Sequence, residues 1–209
     1  MKNFLVCIVL LAGFGAPQLL RAQTPTAPDE KPGQPKKRAG IFTMYALDPF
    51  ARTLCFNDGK EGMASTNHQW GNRCSDLSYS TTGHLVAGIE IDRVAAIVDL
   101  GTANELRERN GYEDAENGGV GFASLRLEGD KITVIQADND AKPIWRMLKE
   151  SPRLFTQLTA SANAPIKLGH IYLVRIADTK DKNFQRIAKL MVIAYRPDEA
   201  VTLRWELLN

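Results

Sequence analysis

The chain has 209 residues, of which 44% are hydrophobic and 24% charged, with 26 Lys and Arg against 24 Asp and Glu and a formal net charge of +2. So even a balance excludes a nucleic-acid binder that works on bulk charge. The length suits one domain around a single core, once the N-terminal segments are set aside.

Residues 1–22 open with Lys2, run through an apolar stretch at 4–14 and end in small residues before a cut after Ala22. This is the pattern of a secretory signal peptide, too short and wrongly flanked for a typical membrane span; an uncleaved anchor is the alternative. Its removal deletes Lys2 and Arg21, and the formal charge falls from +2 to 0. The expected location is secreted or periplasmic, with no stable membrane span after cleavage. Residues 23–40 are Pro-rich without apolar periodicity and read as a flexible tether, its basic run at 35–38 a solvating tail. Residues 41–209 are expected to form a single globular β-rich domain.

Two cysteines remain, Cys55 and Cys74. In an exported chain an even pair is most simply a disulfide, and closing this loop contributes about 3 kcal/mol in the chain-entropy account. A Cys/His metal site with His68 would need more ligands than the loop supplies, so no metal is expected. Residues 41–56 fit one or two short strands broken at Asp48-Pro49. Within the stapled loop, Trp70 is either a core anchor or a contact residue.

Residues 77–100 read as two or three strands. Leu85, Ala87, Ile89 and Ile91 share one face, and 94–100, apolar on both sides, suits a central strand. Thr102 and Glu105 form a capping box for a helix at 102–110 that stops at Gly111. The Gly-rich acidic stretch 111–121 lacks the flanking elements and Lys of a phosphate cradle, and its carboxylates would repel phosphate. Residues 122–135 make a hairpin turning at 128–131. Asp138 and Asp140 resemble the start of a calcium loop without its Gly and Glu, and an N-cap fits better. A helical region at 143–158, with turns at 144–150 and 152–158, is expected to cover one face of the sheet.

The last stretch, 165–208, alternates apolar and polar residues in three runs separated by two polar breaks, a three-strand antiparallel meander. A four-residue turn at 196–199 places Leu190 opposite Trp205 and Lys189 opposite Glu206, with Tyr195 opposite Ala200. Tyr172, Val174 and Ile176 continue the inner face, whereas Arg175, Lys189 and Arg204 point outward. The outer face also carries Ile171, Leu173, Met191 and Ile193, so something covers part of it.

Catalytic signatures are missing from the sequence: there is no Gly-x-Ser-x-Gly and no His-Glu-x-x-His. His68, His84 and His170 show no metal-motif spacing. Asp76, Asp92, Asp99, Glu113 and Asp114 supply acids but no visible cleft. Asp99, set in an apolar strand before Gly101, is either a perturbed acid or, preferably, a cap for the helix that follows.

The run from Gly169 to Asp178 (GHIYLVRIAD), the Ala188-Lys189-Leu190 step and the closing 201–205 (VTLRW) resemble the last meander of secreted bacterial β-proteins of the HmuY type. That resemblance implies a mostly β, extracytoplasmic protein, some of whose relatives bind haem through a His pair. The expected fold class is therefore β-rich α+β, mainly antiparallel, with one disulfide between Cys55 and Cys74. The expected function is a non-catalytic binding or interaction module of the bacterial cell envelope or exterior. Its partner would be a protein, glycan or small ligand, not nucleic acid, met by His68, Trp70, Arg73 and Tyr112. No cofactor is expected; haem or metal uptake and a carboxylate-dependent hydrolase are the alternatives.

Overall fold

The structure, a computed structural model, describes residues 38–48, 51–62, 75–111, 122–137, 143–156, 158 and 162–209. In chain order the elements begin β1 (Ala39–Tyr45), β2 (Thr53–Leu54), β3 (Leu77–Ser80), β4 (His84–Ala87), β5 (Arg93–Thr102) and α1 (Ala103–Asn110). They continue β6 (Leu125–Glu128), β7 (Lys131–Ala137), β8 (Pro143–Met147), α2 (Ser151–Thr156), β9 (Ala162–Pro165), β10 (His170–Asp178), β11 (Gln185–Arg196) and β12 (Ala200–Leu207). The fold is β-rich α+β, as the alternation in the sequence requires.

Three antiparallel sheets are stacked in layers. The central one has the order β1-β12-β11-β10-β5, the second β2-β3-β4-β9 and the third β6-β7-β8. On one face of the central sheet, Tyr172, Val174, Leu190, Val192, Leu203 and Trp205 pack with Leu54, Phe56, Leu77, Tyr79 and Leu85 of the second sheet region. On its other face, Val98, Leu100, Ile171, Leu173 and Ile187 pack with Leu106 of α1, Leu154 of α2 and Leu125, Ile132 and Val134 of the third sheet. Each such side chain taken from water contributes about 1.5–3 kcal/mol, so both interfaces are needed to offset the entropy of ordering the chain. The outer face of the meander is thus a second core, and Lys189, expected to point outward, is 1% exposed within it.

The meander pairs Lys189 with Glu206 and Leu190 with Trp205, as side-chain matching demands. The turn differs. Arg196 pairs with Ala200, Tyr195 with Val201 and Ala194 with Thr202, and the register shifts between Val192 and Ala194. The reversal occupies three residues, with Asp198 at φ 61°. Ile193 is the extra residue that restores the register demanded further along. The bulge also transfers Tyr195 to the inner face, where its ring meets Tyr79 edge-on at 6.3 Å.

Other expectations are corrected. Residues 143–147 form strand β8 on β7, and the helix is confined to Ser151–Thr156. β5 lies at an edge of the central sheet, yet both its faces are covered: Ala95 joins one core and Ala96, Val98 and Leu100 the other. β4 stops at Ala87, so Ile89 and Ile91 are exposed instead of continuing the buried face of Leu85 and Ala87. α1 has the expected capping box at Thr102 and Glu105 and the expected Gly111 stop. Among the described residues no helix is long and apolar enough to cross a membrane.

Candidate functional site

The segment 63–74, which holds three of the four candidate contact residues, leaves and re-enters the described structure at two firmly held points. On the leading side, Cys55 N–H donates to Lys60 O at 3.0 Å, Gly59 N–H to Cys55 O at 2.9 Å and Gly62 N–H to Thr53 O at 3.0 Å. This tight turn lies on the Trp205 ring. Gly59 has φ +70°, and a Cβ there would stand 2.7 Å from Trp205 Cζ2, so the chain can pass so close only without a side chain. On the trailing side, Asp76 N–H donates to Leu54 O at 3.1 Å and Ser75 N–H to Glu90 Oε1 at 2.8 Å. The Asp76 carboxylate ties the two sides together by accepting from Phe56 N–H at 2.8 Å.

Behind this root sits a buried ionic cluster. Arg186 donates to Asp76 Oδ2. Arg93 reaches Asp178 at 2.5 Å and Glu90 at 3.5 Å. Both guanidiniums lie over the Phe184 ring, their central carbons 3.5 Å (Arg93) and 5.0 Å (Arg186) from its centroid. Burial pushes the Asp76 carboxyl above its ordinary value although Arg186 pulls it down. Burial likewise raises Glu90, against the bond from Ser75, and the nearby Asp76 charge adds to the rise. Each of these carboxylates is engaged by a guanidinium, so the cluster positions backbone and does not offer an open acid pair.

A second constellation joins the ends of β5 and β10. The β10–β5 register shifts between Ile171 and Tyr172. His170 Nδ1 lies 2.9 and 3.1 Å from the two Asp99 oxygens, Lys167 Nζ is 3.1 Å from Asp99 Oδ2, and Gly101 N–H donates to Asp99 Oδ1 at 2.7 Å. Burial pushes Asp99 up, but the bonds from His170, Gly101 and Lys167 prevail and hold it below its ordinary value. Asp99 is therefore a paired carboxylate, and Thr102, not Asp99, caps α1. Beside it the Tyr172 hydroxyl donates to Pro165 O at 2.9 Å and is pushed up to about 12, by burial first and by the Asp99 charge second.

Of the residues singled out from sequence, His68, Trp70, Arg73 and Tyr112 lie outside the described residues, as does Cys74. Glu113, Asp114, Asp138 and Asp140 lie outside them too. Cys55 is fully buried at the root. His84 binds within its own turn, its Nδ1 2.8 Å from Thr82 O. Arg93, Glu90, Asp178 and Arg186 carry no local sequence signal of a site. Arg93 faces Asp178 at the ends of two paired strands, a match visible only once β5 is known to lie beside β10. Among the described residues no group of three or more His, Cys, Asp or Glu could hold a metal ion. Comparison with protein-family models, with curated proteins and with solved structures found no match.

Proposed function

We propose that the chain is an exported, non-catalytic binding module of the cell envelope or exterior, which presents the segment 63–74 as its recognition surface. The observation that carries this reading is the bond from Phe56 N–H to Asp76 Oδ2, 2.8 Å and buried, which joins the two ends of that segment. A segment with fixed ends loses less entropy when it meets a partner, the physical advantage of preorganisation. A disulfide from Cys55 to Cys74 would tighten the same root. Its support is that Cys55 is fully buried and that the pairing of Leu54 with Leu77 sets it beside the chain that follows Cys74. His68, Trp70 and Arg73, with Tyr112 from the acidic glycine-rich stretch, are the proposed contacts.

The test introduces a photo-crosslinking residue at position 70 and exposes the protein to envelope and exterior fractions of its host. A discrete adduct that disappears when Arg73→Ala is added supports the reading. No adduct from any fraction, with the fold intact by circular dichroism, sinks it.

A second reading rests on His170. Its Nδ1 is held by Asp99 at 2.9 Å, which leaves Nε2 as the ring atom available to a ligand. A carboxylate that orients an imidazole in this way is the usual support of a metal- or haem-binding histidine. Haemin titration decides it: a shifted Soret band lost in His170→Ala favours uptake of haem, and an unshifted spectrum removes it.

A further inference from the structure

We infer that the outer edge of β1 is a self-association surface, on which a second copy of this chain lays its own β1 antiparallel to the first. β1 is an end strand of the central sheet, and among the described residues no strand pairs with its other side. The bonds Leu207 N–H to Arg38 O and Ala46 N–H to Glu199 O fix which residues face β12. By the two-residue alternation of an antiparallel ladder, Gly40, Phe42 and Met44 bond inward, and Ala39, Ile41 and Thr43 turn their N–H and C=O groups to the open edge. Tyr45 N–H donates to Ala51 O at 3.0 Å and closes that edge at its far end.

The strand lacks the features that normally prevent such pairing. Its sequence, AGIFTMY, contains no charge and no proline. Ile41 is 66% and Tyr45 52% exposed, on the face opposite to Phe42 and Met44. The sheet's other end strand, β5, is protected: it carries Arg93 and Asp99, a register shift against β10, and α1 at its end. Charge selects the mate and its direction. β1 lies between Arg38 and Asp48, whose carboxylate also accepts from Ala51 N–H in its own turn. An antiparallel copy brings the Arg38 end of one strand, whose guanidinium also donates to Asn57 Oδ1 at 2.6 Å, towards the Asp48 end of the other with Arg38 opposite Met44, whereas a parallel copy would set Arg38 beside Arg38. With Ala39, Ile41 and Thr43 as the pairing groups, Ile41 meets its symmetry mate and Ala39 meets Thr43. The contact is two-fold and closes as a dimer.

Sedimentation of the full chain over a range of concentrations, combined with amide hydrogen exchange, tests this. A concentration-dependent dimer is expected, in which the amides of Ala39 and Ile41 gain protection that they lack in the monomer. Ile41→Lys, at an exposed position, should keep the fold and weaken association by about tenfold or more, because it apposes two like charges and removes an apolar contact. If that variant loses its circular dichroism spectrum, Tyr45→Lys, which removes the other large exposed apolar side chain of the same face, takes its place. A monomer at every concentration overturns the proposal, and so does a dimer indifferent to the folded Lys variant or one in which those two amides stay unprotected.

Discussion

Lys189 and Glu206 stand opposite one another on β11 and β12, with Nζ 3.0 Å from Oε2 and side-chain exposures of 2% and 6%. The ammonium also donates to Ala123 O at 2.5 Å and lies 4.0 Å from the Phe122 ring centroid. A charge pair so far from water owes its place to both members being present. Glu206→Ala should therefore cost about 3–5 kcal/mol by leaving Lys189 buried without its anion. The double variant Lys189→Met, Glu206→Leu should recover most of that loss, since its side chains need no counter-charge. Urea unfolding of the two proteins checks this; a double variant no more stable than the single one would refute it.

The same pair shows how far the sequence reaches. Two-residue alternation placed Lys189 opposite Glu206 and Leu190 opposite Trp205, because any slip would have set charge against apolar surface. It did not place the Ile193 bulge. A three-residue reversal and a four-residue reversal read alike in Arg196-Pro197-Asp198-Glu199, and only the distant matches force the extra residue in. Read locally, residues 143–147 suit a helix, because Pro143 fits a first turn. Their bonding partner, β7, is what makes them a strand, and pairing between strands leaves no local trace. At the candidate site the gap is wider. Asp76 and Arg186 are 110 residues apart, and even the Phe56–Asp76 bond that joins the two sides of the root spans 20. The capping box and the Gly111 stop were legible because they are complete within ten residues.

Gly59 offers a test of how the root is seated. Ala at this position has to hold a left-handed backbone and push a methyl group to 2.7 Å from Trp205 Cζ2. The expected loss is about 2–4 kcal/mol, the sum of a backbone and a packing cost. Gly129 is the control. It has φ +60° with nothing within 4 Å of an added Cβ, so Ala there should lose only the backbone share, about 1–2 kcal/mol. Equal losses at the two positions, measured by denaturant unfolding followed by tryptophan fluorescence, would mean that the turn is free to move off the indole.

The proposed staple has a chemical test and an energetic one. Unfolded in denaturant without reductant, the protein should show no reactive thiol at position 55 or 74, and peptide mapping should recover those two cysteines together. Cys55→Ser should lower stability by about 2–5 kcal/mol, the usual cost of removing a native disulfide from a small domain. Cys74→Ser should lower it by a similar amount, because each variant opens the same loop. Two free thiols in the denatured protein, or a large loss in one variant alone, would exclude the pairing.

Acidity should separate the two ionic constellations by sign. Asp76 is held above its ordinary value of 3.8 by burial, so the folded chain keeps a proton that the unfolded chain has released. Its favourable contribution is complete below 3.8 and is lost as the pH rises through the higher folded value. Asp99 runs the other way: burial raises it, but His170, Gly101 and Lys167 hold it below 3.8. Its contribution is complete above 3.8 and is lost as the pH falls through the lower folded value. Wild type should therefore lose stability relative to Asp76→Asn as the pH is raised from about 4 towards neutrality, where the buried carboxylate must ionise. Relative to Asp99→Asn it should lose stability as the pH is lowered below about 4. Urea unfolding of the three proteins across both ranges reads the two slopes directly. A flat difference between wild type and Asp76→Asn above pH 4 would show that Arg186 fully compensates the burial, and that the root of the segment 63–74 carries no proton-linked cost.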